Sequence, residues 1–259
     1  MKMYNDLLKL GPVTIHSYGL LIGIGFMMAL LLAHYRSKKH NLDDDFVFNL
    51  AFVCIIFGML GAKVLYLITE LKTILNDPRT IIEFMDGFVV YGGIIGGILA
   101  AYLYCRLHKK NFLTYFDLLV PSVALAQGFG RIGCFFAGCC YGLETSSHFS
   151  IIFKNSSFAP NNIPLIPTQL ISSAGDFLIC ILLLLFAKRK PKSGMVASAY
   201  LLLYGFGRFV IEFFRGDLIR GSVGILSTSQ FISIFIVLGG LLLGFYVNKK
   251  LTSNDTEEN

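Results

Sequence analysis

The chain has 259 residues, 55% of them hydrophobic and only 15% charged, with a mean hydropathy of +0.68. A soluble domain carries about 25% charged residues, so composition excludes an ordinary soluble protein and points to a polytopic membrane protein. The formal net charge of +6 is no sign of a nucleic-acid partner, because the cations gather in short segments between apolar runs, where they set topology.

The first dozen residues are polar, and the apolar run that follows is too long for a signal-peptide core. No cleaved signal is expected. A spanning helix needs about 20 mostly apolar residues, and seven runs qualify: about 13–35, 46–69, 88–107, 112–133, 168–187, 195–214 and 227–247. The expected fold is all-α, a single integral membrane domain over residues 1–259.

The first span carries Tyr18 between His16 and Gly19. The second carries Lys63, with Tyr66 and Glu70 at helical spacing, and the lysine is expected to snorkel to the membrane edge. The third opens on Tyr91-Gly92-Gly93-Ile94-Ile95-Gly96-Gly97. Gly92/Gly96 and Gly93/Gly97 are small-xxx-small steps that let helix backbones touch, and Tyr91 suits the aromatic belt.

The fourth span is the weakest, because Asp117, Pro121 and several glycines interrupt it. Residues Gly128 to Gly133 match G-x-G-x-x-G, but the motif closes an apolar span and does not link a strand to a helix. Its glycines are expected to allow close packing or an unwound segment around Arg131.

Cys134, Cys139 and Cys140 follow. They are read as small buried hydrophobes, since adjacent cysteines cannot share the usual C-x-x-C geometry and no histidine cluster accompanies them. No metal and no redox cofactor are expected.

A long loop then covers about 141–167, and such loops are often functional. The fifth span carries Asp176, which, like Asp117, is a buried carboxylate in search of a cation. The sixth ends Tyr204-Gly205-Phe206-Gly207-Arg208-Phe209-Val210-Ile211-Glu212-Phe213-Phe214-Arg215. Helical spacing puts Tyr204, Arg208, Glu212 and Arg215 on one face. After the seventh span, the polar, acidic tail 253–259 is expected to be disordered.

The segments after spans one, three, five and seven hold twelve Lys and Arg, and the opposite side holds six: Lys2, Lys9, Lys72, Arg79, Lys154 and Arg220. This bias places the N-terminus outside and the C-terminus in the cytoplasm, with the 141–167 loop extracytoplasmic. The remaining four cations, Lys63, Arg131, Arg208 and Arg215, lie within apolar spans. A charge near mid-bilayer costs roughly 2.5–3.5 kcal/mol, so each must meet a partner. One reading of the arginine face is a structural ion pair at the membrane edge. The other is a phosphate site, because guanidinium forks match phosphate oxygens and a carboxylate orients them.

These motifs, in this order and over nearly the whole chain, resemble the prolipoprotein diacylglyceryl transferase family. The resemblance rests on Ser17-Tyr18-Gly19-Leu20, the Tyr91 to Gly97 run, Gly130-Arg131-Ile132-Gly133, Pro167-Thr168-Gln169-Leu170, the Tyr204 to Arg215 run and Ser229-Gln230. The chain looks like a divergent member. Tyr91 stands where the family typically has His, and the pattern Gly-Arg-x-Gly-Asn-Phe-x-Asn-x-Glu is met with Cys134, Ala137 and Cys139 in place of Asn, Asn and Glu.

The resemblance implies transfer of a diacylglyceryl group from phosphatidylglycerol to the lipobox cysteine of a preprolipoprotein, in a bacterial cytoplasmic membrane. It implies Tyr91, Tyr204, Arg208 and Glu212 as catalytic residues. Arg131, Arg208, Arg215, Tyr18, Gly92 and Gly93 are the implied phosphatidylglycerol-binding residues, and no cofactor is implied. A relative acting on another acceptor is the alternative, followed by an anion channel or carrier, which the lack of an internal repeat disfavours.

Overall fold

The computed structural model describes residues 6–10, 13–76, 87–217 and 221–257. Lys2, Arg79 and Arg220, counted above for orientation, lie outside the described residues. The elements in order are β1 (Asp6–Leu10), β2 (Val13–His16), α1 (Ser17–Lys39), α2 (Asp44–Thr69), α3 (Leu71–Asn76), α4 (Val90–Leu107) and α5 (Phe112–Ala137). They continue with β3 (Ile151–Ile152), β4 (Pro164–Leu165), α6 (Thr168–Ala187), α7 (Met195–Glu212), β5 (Ser222–Val223), β6 (Leu226–Ser227) and α8 (Thr228–Glu257). Every helix except α3 is long and apolar enough to cross a membrane, which makes seven spans among the described residues. This is an all-α, multi-pass membrane protein.

The element boundaries depart from expectation in three places. The first span begins at Ser17, not near residue 13, because the β-branched stretch Val13-Thr14-Ile15 pairs with β1 in an antiparallel ribbon. The fourth span is an unbroken helix of 26 residues, so of the two roles weighed for its glycines, packing applies and unwinding does not. A Cβ at Gly128 would come within 2.4 Å of the Phe177 ring, and one at Gly133 within 3.1 Å of Tyr18 Cδ2. Pro121 is fully buried, which keeps the carbonyl it leaves unpaired away from lipid. Finally, α8 runs on to Glu257, so the tail expected to be disordered extends the helix as far as it is described.

The chain divides into two compact units. One contains the described residues up to Leu32 and from Phe116 onward, and the other is Ala33–Tyr115. In the smaller unit α2 and α4 meet along a glycine seam. A Cβ on Gly92 would sit 2.3 Å from the Gly61 carbonyl oxygen, and one on Gly96 2.5 Å from that of Phe57. Only glycine permits that approach. Lys63 extends toward the entry to α4. Its Nζ lies 3.4 Å from the Gly87 carbonyl, 5.4 Å from the Tyr66 ring centre and 5.2 Å from that of Phe88, a cation–π cage at the entry to α4.

In the larger unit α5, α6 and α7 share a core of Val120, Ala124, Cys180, Leu183, Val196 and Tyr200. Helices α7 and α8 approach through Gly205, which lies under Val237 and Ile236, and through Gly240, whose carbonyl accepts from Ser198 Oγ at 2.7 Å. The long loop is not open coil. Phe153, wholly buried, joins Phe135, Ala159 and Leu165 in a small core of its own beneath the β3–β4 ribbon. Gly142 accepts no side chain, since a Cβ there would be 2.4 Å from the Ile166 carbonyl oxygen.

Asp117 meets the start of a helix. Its Oδ2 accepts from the Gly194 N–H and its Oδ1 from the Ala197 N–H, both at 2.7 Å. Gly194 takes a left-handed conformation, φ +99°, which suits glycine. Asp117 thus caps α7 from another helix and places negative charge at its positive end. Asp117→Ala is expected to cost about 1–2 kcal/mol and to lower the unfolding temperature in detergent, with Asp117→Asn losing less. Gly92→Val, which drives a branched side chain into the Gly61 backbone, should likewise lower that temperature by parting α2 from α4.

Candidate active site

Three helices of the larger unit converge on a cavity of about 240 Å³. Helix α5 contributes Arg131, α6 contributes Ser172 and Asp176, and α7 contributes Tyr204 and Arg208. The C-terminal ends of α5 and α7 and the N-terminal end of α6 meet here. Gly175 and Gly207 line the same space, and a Cβ on either would touch nothing within 4 Å. The glycines leave room where a side chain would fill the cavity.

The two arginines are in different situations. Arg208 is held from two sides: its Nη2 donates to Ser229 Oγ at 2.8 Å and lies 2.7 Å from Glu212 Oε2. The contact to Glu212 is ionic and off the hydrogen-bonding axis, so that buried oxygen keeps an open lone pair. Ser229 is itself fixed by the start of α8. Ser227 and Gln230 form a reciprocal capping box, Ser227 N–H to Gln230 Oε1 at 3.0 Å and Gln230 N–H to Ser227 Oγ at 3.1 Å.

Arg131 is half-buried and makes no hydrogen bond or salt bridge to a side chain among the described residues. The carboxylate that faces it, at longer range, is Asp176. A guanidinium in this state is costly unless something anionic joins it. Tyr204 stacks on Tyr200, ring centres 5.6 Å apart, and Tyr200 donates to Gln127 Oε1 at 2.9 Å. That chain fixes the Tyr204 ring beside both guanidinium groups.

The other residues singled out from sequence fall elsewhere. Arg215 lies past the end of α7, 3.8 Å from Glu212 and paired in two-pronged fashion with Asp217, Nε to Oδ1 at 2.8 Å and Nη2 to Oδ2 at 2.5 Å. Its donors are largely taken by protein. Tyr18 packs on α5 at Gly133. Tyr91 is half-buried in the first turn of α4, in the smaller unit, and Gly92 and Gly93 sit in the α2–α4 seam with their faces against Gly61 and Gly58. The seam accounts for both glycines without a ligand.

Three residues of this region were not in the expected set. Asp176 is buried and supplies the cavity with a carboxylate that opposes Arg131 and Arg208. An acid in the middle of an apolar span is the same signal that marked the arginines. Ser229 and Asp217 gave no such signal, because their roles depend on where α8 and the turn after α7 bring them.

The cysteines of the α5 end lie together. Gly138 and Cys140 adopt left-handed conformations, φ +75° and +59°, and the reversed chain brings the sulfurs of Cys134, Cys139 and Cys140 within 4.8 Å of one another. They form a cluster in which Cys134 is buried, as expected, and Cys139 and Cys140 are half-buried. Hydrogen bonding with Cys134 and Cys140, reinforced by burial, pushes the Cys139 thiol far above the ordinary thiol range.

The comparisons with known proteins agree with this architecture. The model of the prolipoprotein diacylglyceryl transferase family matches residues 5–246. A phosphatidylglycerol–prolipoprotein diacylglyceryl transferase of Clostridium tetani is 49% identical over 237 residues, 92% of this chain and 95% of the relative. A second such enzyme, of Clostridium perfringens, is 49% identical over 247 residues, 95% of this chain and 96% of its own. The corresponding protein of Clostridioides difficile is 34% identical over 247 residues, with the same coverage. A family match over nearly the full length, joined to seven spans and an arginine-lined cavity, leaves one conclusion: the chain belongs to the prolipoprotein diacylglyceryl transferase family.

Proposed function

We propose that this protein moves the diacylglyceryl group of phosphatidylglycerol to the thiol of a lipobox cysteine in a preprolipoprotein. The observation that carries the reading is Arg131, a half-buried guanidinium with no hydrogen-bonding partner among the described residues, in one cavity with Arg208. Two planar donors facing a common space suit a phosphate, and the phosphates abundant in a membrane belong to lipid headgroups.

In the reaction, the substrate sulfur forms a bond to the glyceryl carbon as that carbon's bond to a phosphate oxygen breaks. The electron pair stays on the departing glycerol phosphate. Arg131 and Arg208 stabilise that growing charge. Glu212 and Ser229 hold the Arg208 fork in place, and Tyr204 stands between the two guanidinium groups as a further donor. Asp176 offsets their charge before the lipid arrives. A catalytic role for Tyr91 and lipid-binding roles for Arg215, Tyr18, Gly92 and Gly93 rest on motif position in the family resemblance alone. The N-terminus lies outside and the C-terminus in the cytoplasm, so the loop after α5 and the cavity beneath it face the outer leaflet.

Purified protein incubated with labelled phosphatidylglycerol and a lipobox peptide, followed by mass spectrometry, tests this directly. Arg131→Ala and Arg208→Ala should each reduce transfer by at least about 10²–10³-fold, the scale for removing a donor to a developing charge, with membrane insertion intact. Transfer near the wild-type rate in either variant would remove the headgroup site. Arg208→Lys should also impair transfer, because a point charge cannot reproduce the fork between Ser229 and Glu212. Glu212→Gln should lower transfer less than Arg208→Ala does, since Ser229 still orients the guanidinium.

A further inference from the structure

The cysteine cluster sits one helical turn beyond Arg131 and has no role in the reaction so far. Its shape is set by neighbours outside it. Thr168 Oγ1 donates to the Cys140 carbonyl and Gln169 Nε2 to the Cys139 carbonyl, each at 2.8 Å. The Cys139 N–H bonds the Cys134 carbonyl at 3.2 Å, and that of Gly138 bonds the Phe135 carbonyl at 3.1 Å. These bonds turn the backbone carbonyls of both vicinal cysteines onto the start of α6 and leave the side chains to converge.

The three sulfurs, none of them in a disulfide, lie within 4.8 Å of one another. Tetrahedral zinc–thiolate bonds of about 2.3 Å place sulfurs about 3.8 Å apart, so rotamer adjustments of roughly an ångström at most close the site. Cys134 is buried, and Cys139 and Cys140 are half-buried. No fourth His, Cys, Asp or Glu ligand joins them among the described residues.

A second observation marks the same place. Gln169 is 1% exposed, yet its Oε1 has no hydrogen-bond partner. Its amide nitrogen is already engaged by the Cys139 carbonyl, so the same amide group holds an unused acceptor next to the cluster's backbone. Such an orphan costs about 1–3 kcal/mol unless a ligand or water completes it.

We propose that Cys134, Cys139 and Cys140 bind one zinc ion as three thiolates and leave its fourth position for an exogenous thiol. Soft sulfur donors select zinc over magnesium or calcium, and three protein ligands with one open position are the pattern of catalytic zinc. The complex carries a net charge of −1, three thiolates on a divalent ion. Arg131 lies near Cys134 and Cys140, and Arg215 near Cys140, so cations are already in place to balance it.

The use of the fourth position rests on the transferase reading, whereas the metal site does not. A lipobox thiol entering that position gives its proton to water and binds as thiolate. Its sulfur lone pair then forms the bond to the glyceryl carbon as the carbon–oxygen bond breaks and glycerol phosphate leaves with the electron pair. The zinc is neither oxidised nor reduced.

The test begins with the metal content of full-length protein purified in detergent without chelator. Wild type should hold about one zinc per chain. Cys134→Ser, Cys139→Ser and Cys140→Ser should each lower metal affinity by roughly 10- to 100-fold or more, while Cys54→Ser and Cys180→Ser, outside the cluster, should keep it. Chelated wild type reloaded with cobalt should show a thiolate-to-cobalt charge-transfer band, an assay that needs no variant to fold. Zinc-free wild type that also gives no cobalt–thiolate band would overturn the site, as would a disulfide between any two of the three cysteines.

Transfer to the lipobox peptide should fall on chelation and return with zinc. Full-rate transfer by metal-free protein would overturn the thiol-binding role and leave the transferase reading standing. Stoichiometric zinc with no transfer from phosphatidylglycerol would sink that reading and leave the site.

Discussion

A guanidinium inside a lipid bilayer must be answered by polar groups, and the larger unit is organised around that requirement. Arg208 is answered by protein: Ser229 and Glu212 hold it, and the capping box that opens α8 holds Ser229. Arg215 is answered by Asp217 at the end of its span. Arg131 is not answered by any side-chain hydrogen bond among the described residues, although it shares a cavity with Arg208 and Asp176. Burial of an unpaired charge is tolerated where binding completes it. The contrast between a fork that is held and one that is free separates the positioning role of Glu212 from the recognition role proposed for Arg131.

The same helices that carry the charges are joined by backbone-directed polar bonds, which do not depend on the lipid around them. Asp117 caps α7 across the bundle, Thr168 and Gln169 seize the carbonyls of the Cys139–Cys140 turn, and Ser173 Oγ bonds the Gly128 carbonyl at 2.9 Å. Each bond links α5, or the turn that follows it, to α6 or α7, the helices that line the cavity. Lipid supplies no hydrophobic drive between helices, so small-residue contacts and such bonds must fix the geometry to the tolerance a phosphate site needs.

The spans were legible in the sequence because length and hydropathy alone mark them, and Arg131 and Arg208 were legible because charge there is anomalous. What escaped depended on the third dimension. Asp117 and Asp176 look alike in sequence, each an acid in an apolar run, yet one caps a helix and the other faces the cavity. The Gly128 to Gly133 stretch allowed both packing and unwinding, and only the approach of Phe177 and Tyr18 decides for packing. The first span starts a few residues into its apolar run, because Val13 to Ile15 pairs with β1. Spacing marks the three cysteines as near in sequence but cannot register two left-handed residues that fold neighbouring side chains onto the same side.

The segment after α5 is knitted to the end of α7. Leu143 N–H bonds the Phe214 carbonyl at 2.9 Å, Gly216 N–H bonds that of Tyr141 at 3.0 Å, and a Cβ on Gly216 would come within 2.6 Å of the Gly142 oxygen. The two arginine-bearing helices therefore end in a common buckle. A peptide tag or epitope grafted near Phe149, an exposed bend, leaves that buckle fastened. The same graft at Gly142 or Gly216 would let the ends of α5 and α7 separate and spread the two guanidinium groups beyond the reach of a single phosphate.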